Sequence, residues 1–406
     1  MRTLPSARIF AVLLLGAALG AAQEPALDLK VTLAEAASNN LEVRAAREQR
    51  AQAIAGLSIA RAIPNPTVSF SAARDLPHES ALWDQSIELG GKRGQRIAVA
   101  QQEQRAIEIQ IDVLTRQIRR RTREAFYRTL WARAARDQLK AAEDIAIHTR
   151  DIVKQRFDAG DVAEIEVVQA DVESTRAAVD AEAAIQSLRS SDALLAGLLN
   201  RRLDQPLPPL AGRLDELPPN PTLDDVTRLA LASNPEVQRS AQEIRTEERR
   251  LGLAKAERIP NLGLQAGVDL NSPPDFNVGP RGQIGVTLPL FYHGQGEVAL
   301  SNAKLRFLRL ALEAQQTTTA AQVAAAYFDY LSKAYQARQY KARIVPQASR
   351  LEQMSEDSYR SGKTNLLWLI DAQRKLNEIQ RAYLDTLLAA QTSFANLEEM
   401  VGADLD

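Results

Sequence analysis

Apolar and polar positions along the chain follow two periods, and each period occurs in two places. One is a period of two. From Asn261, the residues Leu262, Leu264, Ala266, Val268 and Leu270 fall on one face, while Gly263, Gln265, Gly267 and Asp269 fall on the other. After a loop signal at Asn271-Ser272-Pro273-Pro274, Ile284, Val286 and Leu288 extend the apolar face against Gln283, Gly285 and Thr287. An earlier, weaker pair has Val68, Phe70 and Ala72 alternating with Thr67, Ser69 and Ser71, with Trp83, Ile87 and Leu89 marking the return. The pattern predicts two strand hairpins, over about residues 66–90 and 261–290.

The other period is helical. Residues 92–156 contain no proline, and a helix of that length reaches roughly 100 Å. Residues 295–359 are similar, with Pro346 expected as a local kink. Ala320, Val323, Tyr327, Tyr330 and Ala334 step by three and four, as do Leu369, Ala372, Leu376, Ile379, Tyr383, Leu387, Ala390, Phe394 and Leu397 apart from one doubled four. Such a seam is that of a coiled coil, and its alanines allow helices to lie side by side as a shallow wall. Each half also opens on a helix. A capping box is expected at Thr32-Leu33-Ala34-Glu35 and an acidic counterpart at Thr222-Leu223-Asp224-Asp225; Pro64 and Pro260 end the helical pattern.

The two halves echo each other. Phe157-Asp158-Ala159-Gly160 returns as Tyr359-Arg360-Ser361-Gly362, an aromatic followed three positions later by glycine. Asn40-Leu41-Glu42-Val43 returns as Asn234-Pro235-Glu236-Val237, and Ile63-Pro64-Asn65 as Ile259-Pro260-Asn261. An ordered echo of this kind is an internal two-fold repeat. The expected organisation is a repeat over 23–202, a linker over 203–221 with six prolines, and a second repeat over 222–406. Within each repeat a tip turn, 157–163 or 360–364, joins the long helix to a last helix that runs to about 200 or 400. The glycines suit a left-handed helix terminus, and Phe157 and Tyr359 are expected to pack under the turns.

Two hairpins flanked only by helices do not make an independent sheet. They need strands from other chains, and closing a barrel supplies them. Residues 1–22 read as a targeting segment: Arg2 and Arg8, an apolar run from Ile9 to Leu19, then Gly20-Ala21-Ala22 before a cleavage expected ahead of Gln23. No later stretch is a spanning-helix candidate.

Among 406 residues the net charge is −1, which gives nucleic acid no electrostatic footing. The absence of cysteine excludes disulfides, thiolate metal ligands, a cysteine nucleophile and a lipid anchor on cysteine. Three histidines and three methionines leave little for a transition-metal site, so no metal and no cofactor are expected. His78, His148 and His293 are scattered and read as surface residues. No hydrolase, zincin or phosphate-loop motif is present, so no catalytic residue is assigned.

The tip motifs, together with Asp161-Val162-Ala163, Val167 and Ala170 in the first copy, Leu369-Ile370-Asp371-Ala372-Gln373 in the second, and Val286-Thr287-Leu288-Pro289-Leu290-Phe291, resemble the TolC family of outer-membrane efflux proteins. The resemblance implies an α+β membrane protein: a homotrimer in which four strands per chain complete a twelve-stranded barrel in the outer membrane of a Gram-negative bacterium. A long α-helical barrel continues it into the periplasm. It implies lipid against Val68, Phe70, Leu262, Leu264, Val268, Ile284, Val286 and Leu288. It implies a periplasmic adaptor (a membrane fusion protein) and an inner-membrane pump as partners, with the adaptor at the tips. Ile87-Glu88-Leu89-Gly90-Gly91-Lys92-Arg93 is most similar to the heavy-metal branch, whose pumps are of the resistance-nodulation-division type.

Gate residues carry over from the same resemblance. Phe157, Gly160, Tyr359 and Gly362 form the tips, with Glu166 where a carboxylate accepts from the tip tyrosine. Asp371 falls in an acidic ring at the entrance. Trp368 stands where a second ring aspartate is expected, and Thr364 where an arginine is expected, which makes the constriction partly apolar. Export of organic solutes and type I secretion are alternatives on the same fold. A periplasmic coiled-coil adaptor or structural protein is an alternative of another class, and it lacks the paired strands.

Overall fold

The computed structural model describes residues 26–405, so the expected targeting segment lies outside the described residues. The first repeat comprises α1 (Leu29–Asn39), α2 (Leu41–Arg61), β1 (Thr67–Ala72), β2 (Glu79–Ile87), α3 (Lys92–Asp158) and α4 (Glu164–Leu198). The second comprises α5 (Leu223–Ser233), α6 (Pro235–Glu257), β3 (Leu262–Ser272), β4 (Phe276–Val286), α7 (Gln295–Gln339), a π-helical turn (Tyr340–Ile344), α8 (Val345–Arg360) and α9 (Leu366–Val401).

The single helix expected before each hairpin is two helices, divided by Asn40 and Asn234. Asn40 Oδ1 accepts from the N–H groups of Glu42 (2.9 Å) and Val43 (3.3 Å), and Asn234 Oδ1 from those of Glu236 (2.9 Å) and Val237 (3.1 Å). Each side chain therefore caps the second helix of its pair. Each also donates from Nδ2 to the end of its repeat's last helix, Asn40 to Leu198 O (3.1 Å) and Asn234 to Met400 O (2.6 Å). These bonds stack α2 end to end on α4 and α6 end to end on α9.

Thr222 caps α5 as expected, accepting from Asp225 N at 3.2 Å. Thr32 does not cap α1. The helix starts earlier, on Asp28, whose Oδ1 accepts from Val31 N at 2.6 Å. The entering chain is pinned by a bridge between Leu27 and Leu210 of the linker, which moves the helix start back. Thr32 is buried and donates to Asp28 O, while Glu35 forms an ion pair with Arg201 at 2.6 Å.

The effect of Pro346 also differs from a simple kink. Proline has no N–H and its ring crowds the carbonyl of Ala342, four residues earlier. The ladder answers by widening over Tyr340–Ile344 into the π turn, after which α8 continues. The equivalent stretch of α3 is unbroken.

The strands form one antiparallel sheet in the order β1-β2-β3-β4. Residues directly opposite share a face, so the register extends one apolar face across the sheet: Val68 opposite Trp83, Trp83 opposite Ala266, Leu264 opposite Ile284, Leu262 opposite Val286. Phe70 and Val268 lie on the same face through Ala81. Phe70 is 80 % exposed and Ile284 70 % exposed, so this face is uncovered by the chain itself. Leu288 and Leu89, expected in strands, lie past the ends of β4 and β2. No helix of the described residues is long and apolar enough to cross a membrane.

The helices make a wall of four columns. α3 packs between the α2–α4 column and the α6–α9 column, and α7 packs on the far side of α6 and α9. The seam residues Val323, Tyr330, Ala334, Leu369, Ala372, Leu376, Leu387, Ala390, Phe394 and Leu397 are buried. The linker lies across the wall. Gln391 Nε2 donates to Glu216 O (2.8 Å), Tyr330 Oη to Pro218 O (2.5 Å), and Lys341 Nζ of the π turn to Asp215 Oδ2 (2.7 Å).

Candidate functional site at the helix-hairpin tips

The two tips are built alike from the backbone up. α3 ends where Gly160 takes φ +83°, and α8 ends where Gly362 takes φ +70°. In the first tip Gly160 N donates to Phe157 O (2.9 Å) and Asp161 N to Arg156 O (2.9 Å). In the second, Gly362 N donates to Tyr359 O (3.0 Å) and Lys363 N to Ser358 O (2.9 Å). A side chain with a Cβ pays a steric cost at that φ, which is why glycine recurs at both positions.

The aromatics diverge. Tyr359 is 1 % exposed and sits among Val153, Ala170, Leu366, Leu369 and Ile370. Phe157 does not pack under its turn; it is 40 % exposed. The reason is the pairing of the hairpins. The cluster that receives Tyr359 is supplied by α3, α4 and α9, and the first repeat's own aromatic lies outside it.

Tyr359 Oη donates to Glu166 Oε2 at 3.0 Å. That bond joins α8 of the second repeat to α4 of the first. Glu166 lies in the first turn of α4, where the free N–H groups favour a carboxylate. Arg156 completes the arrangement. Its guanidinium lies 4.8 Å from the centroid of the Tyr359 ring and Nη1 donates to Tyr359 O at 3.0 Å. Burial, and next the hydrogen bond to the Glu166 carboxylate, push the Tyr359 phenol up to about 12. The phenol thus stays a donor at any physiological pH.

Trp368 and Asp371 take no part in this bond. Trp368 is 66 % exposed and Asp371 is exposed one turn further along α9. Trp368 N is held by the cap of α9, donating to Asn365 Oδ1 at 3.2 Å. One turn beyond Asp371, Arg374 pairs with Glu173 of α4, a second tie between the repeats.

Arg156, Glu173 and Arg374 carry no signature in the sequence pattern. The one hint is an asymmetry of the echo: arginine precedes Phe157, whereas serine precedes Tyr359. His148, expected on the surface, is 58 % exposed in its side chain and meets Arg360 (2.6 Å to Nη2) in a charged group with Glu356. Among the described residues, no group of three or more His, Asp and Glu is placed to hold a metal ion.

Comparison with known proteins adds three findings. Residues 226–403 match the model of a family described as outer membrane efflux protein. A cobalt-zinc-cadmium resistance protein, CzcC of Cupriavidus metallidurans, is 25 % identical over 386 residues, 93 % of this chain and 90 % of that protein. Among solved structures, a membrane protein from Pseudomonas aeruginosa superposes with a TM-score of 0.77 at 17 % identity, covering 92 % of this chain and 90 % of that one. The CusC channel gives 0.76 at 16 % identity, over 93 % and 92 %. VceC from Vibrio cholerae gives 0.73 at 15 % identity, over 93 % and 97 %. These likenesses establish the fold as that of outer-membrane channels.

Proposed function

We propose that this chain, whose residues 226–403 match the outer membrane efflux protein family, is the outer-membrane exit conduit of a heavy-metal efflux system. It is a passive channel and no enzyme. The observation that carries the proposal is the tip: two hairpins of one chain closed on each other by Tyr359–Glu166 at the far end of a wall whose other end is a sheet with an open apolar face. A wall that ends in a latched mouth is a conduit with a gate.

Three copies close the conduit. The sheet leaves β1 and β4 as free edges among the described residues, and with four strands the two run in opposite directions, so β4 of one copy pairs antiparallel with β1 of the next. The helical wall has matching edges. Along α4, Ile165, Val168, Val172 and Val179 are exposed at spacings of three, four and seven. Along α7 and α8, Phe328, Tyr335, Leu351 and Met354 are exposed. The internal repeat makes α7 the counterpart of α3, so α7 of one copy receives α4 of the next as α3 receives α9 within the chain. The interface is head-to-tail and closes into a ring.

Cation selection at the mouth falls to Asp371. Three such carboxylates around one axis attract cations, with Trp368 one turn nearer the tip as an apolar collar. The metal is cargo, with its choice made by an inner-membrane pump of the resistance-nodulation-division type and handed on through a periplasmic adaptor. The kinship with the cobalt-zinc-cadmium resistance protein supports metal over organic cargo. Deleting the gene in its native host tests this. Growth is expected to become sensitive to cobalt, zinc or cadmium ions and to recover on complementation. Unchanged metal tolerance with new sensitivity to organic solutes overturns the metal assignment.

A further inference from the structure

The two repeats part ways between the linker and the tips. The echo of the tip motifs sets residues 345–360 opposite residues 143–158. In the first repeat that stretch is the end of α3, one helix of 67 residues. In the second it is α8, 16 residues set off from α7 by the π turn. Val345 N donates to Tyr340 O, five residues back, and Pro346 has no N–H with which to return Ala342 O to the α pattern.

The two stretches are also held differently. Over 136–156, α3 buries Ala142, Thr149 and Val153, so it is fastened at intervals along its length. Of the described residues over 338–358, only Ala348 is buried. Ahead of Pro346 the chain is fixed. Tyr340 stacks on Tyr383 of α9 with ring centroids 6.4 Å apart, Lys341 Nζ donates to Asp215, and Arg213 pairs with the same carboxylate at 3.0 Å. Beyond Ala348, the next deep anchor is Tyr359 at the far end, bonded to Glu166. An element with few buried contacts, fixed at one end and fastened by one side chain at the other, is a lever.

We propose that the π turn is the hinge of the gate: α8 swings about Tyr340–Ile344 as a rigid arm, while the matching end of α3 stays in the wall. The proposal rests on the conduit reading and its latch. The leverage suffices. About 22 Å of helix separate the turn from Tyr359, so a tilt of about 10° carries that end roughly 4 Å, out of hydrogen-bond reach of Glu166. A helix bends most readily where a proline and a widened turn have already opened its ladder, so the tilt breaks no bond within α8 itself. The tip turn tethers the arm to α9, which is tied into the wall by Gln373 Nε2 donating to Thr149 Oγ1 (2.9 Å) and by the Arg374–Glu173 pair. That tether limits the swing. In the proposed ring, Leu351 and Met354 lie on the arm's margin toward the next copy, a packed surface along which a helix can shear. The division of labour also accounts for the two aromatics. Tyr359 rides on the moving arm and plugs into the wall, whereas Phe157 rides on the fixed helix and has no seat to fill.

Spin-label distances between copies test this, because a chain without cysteine takes a label only where one is introduced. Three single-cysteine chains are needed, each at an exposed position: Asp357→Cys on the arm, Arg338→Cys ahead of the π turn, and Lys154→Cys on the matching end of α3. Pulsed dipolar spectroscopy reads each distance with the latch intact and with it released by Tyr359→Phe and Glu166→Gln. Release is expected to shift the distances at 357 by several ångströms and to leave those at 338 and 154 unchanged. Adding Pro346→Ala, which restores the missing N–H, is expected to abolish the shift. An equal shift at 338 or 154 overturns the hinge, because the wall or both hairpins then move together. A shift that persists with Pro346→Ala also overturns it, because the bend then lies elsewhere. Conductance that rises on release while no distance moves keeps the conduit and removes the hinge. A chain that gives neither distances between copies nor channels removes the conduit reading, and the hinge with it.

Discussion

The bond proposed to latch the tip joins one phenol and one carboxylate, and its chemistry fixes how it fails. A hydrogen bond to a charged group contributes about 1.5–3 kcal/mol, so losing it shifts the open-to-closed balance of a protomer by roughly tenfold or more. Tyr359→Phe combined with Glu166→Gln is therefore expected to raise the conductance of single channels in planar bilayers; an unchanged closed-state conductance removes the latch. The pH dependence has a definite sign. The folded phenol keeps its proton to about 12, whereas an unburied one loses it near 10.0. Its contribution to closure is complete below 10.0 and is lost as pH rises toward about 12. Tyr359 and Glu166 were legible as candidates because a motif marks one and a family resemblance places the other. Arg156 was not. Its stacking on Tyr359 joins residues that are adjacent only after α3 and α8 are packed, and periodicity is blind to such a contact.

Elements were legible where one period ran long. The proline-free run of α3 and the two period of β3 each sustain themselves over many residues, and the observed bounds follow them closely. Breaks set by single side chains were less legible. Asn40 and Asn234 stood out as echoes, yet their work as caps depends on carbonyls of Leu198 and Met400, which the sequence places far away. Pro346 marked a disturbance without disclosing that the ladder widens ahead of it. That π turn is clasped to the linker by Asp215, whose carboxyl is held down to about 2 by Arg213 and then Lys341. Asp215→Asn is expected to speed hydrogen exchange of the backbone over 340–344 relative to the unmodified chain. The depressed acidity sets the pH range of the effect. The clasp contributes stability above 3.8 and loses it as pH falls through about 2, so the two proteins converge in that window. Equal exchange at neutral pH means the clasp does not restrain the turn.

A single chain leaves surfaces unsatisfied at the level of both sheet and helical wall. Among the described residues the sheet has two free edges and one uncovered apolar face, and the helical wall carries exposed apolar stripes along both margins. Such surfaces are expensive in an isolated chain, and in the proposed ring the junction between first and second repeats serves as the template for the junction between copies. The sequence displayed the duplication and the lone hairpins, which together call for partners; it did not display the stripes, because Val168 or Leu351 is an ordinary helix residue until the packing of its neighbours leaves it bare. The central claim is that three chains make one conduit. Native mass spectrometry of the protein extracted from outer membranes in mild detergent counts them directly. Three copies per particle are predicted, and a monomer, or a ring of any other number, contradicts the account.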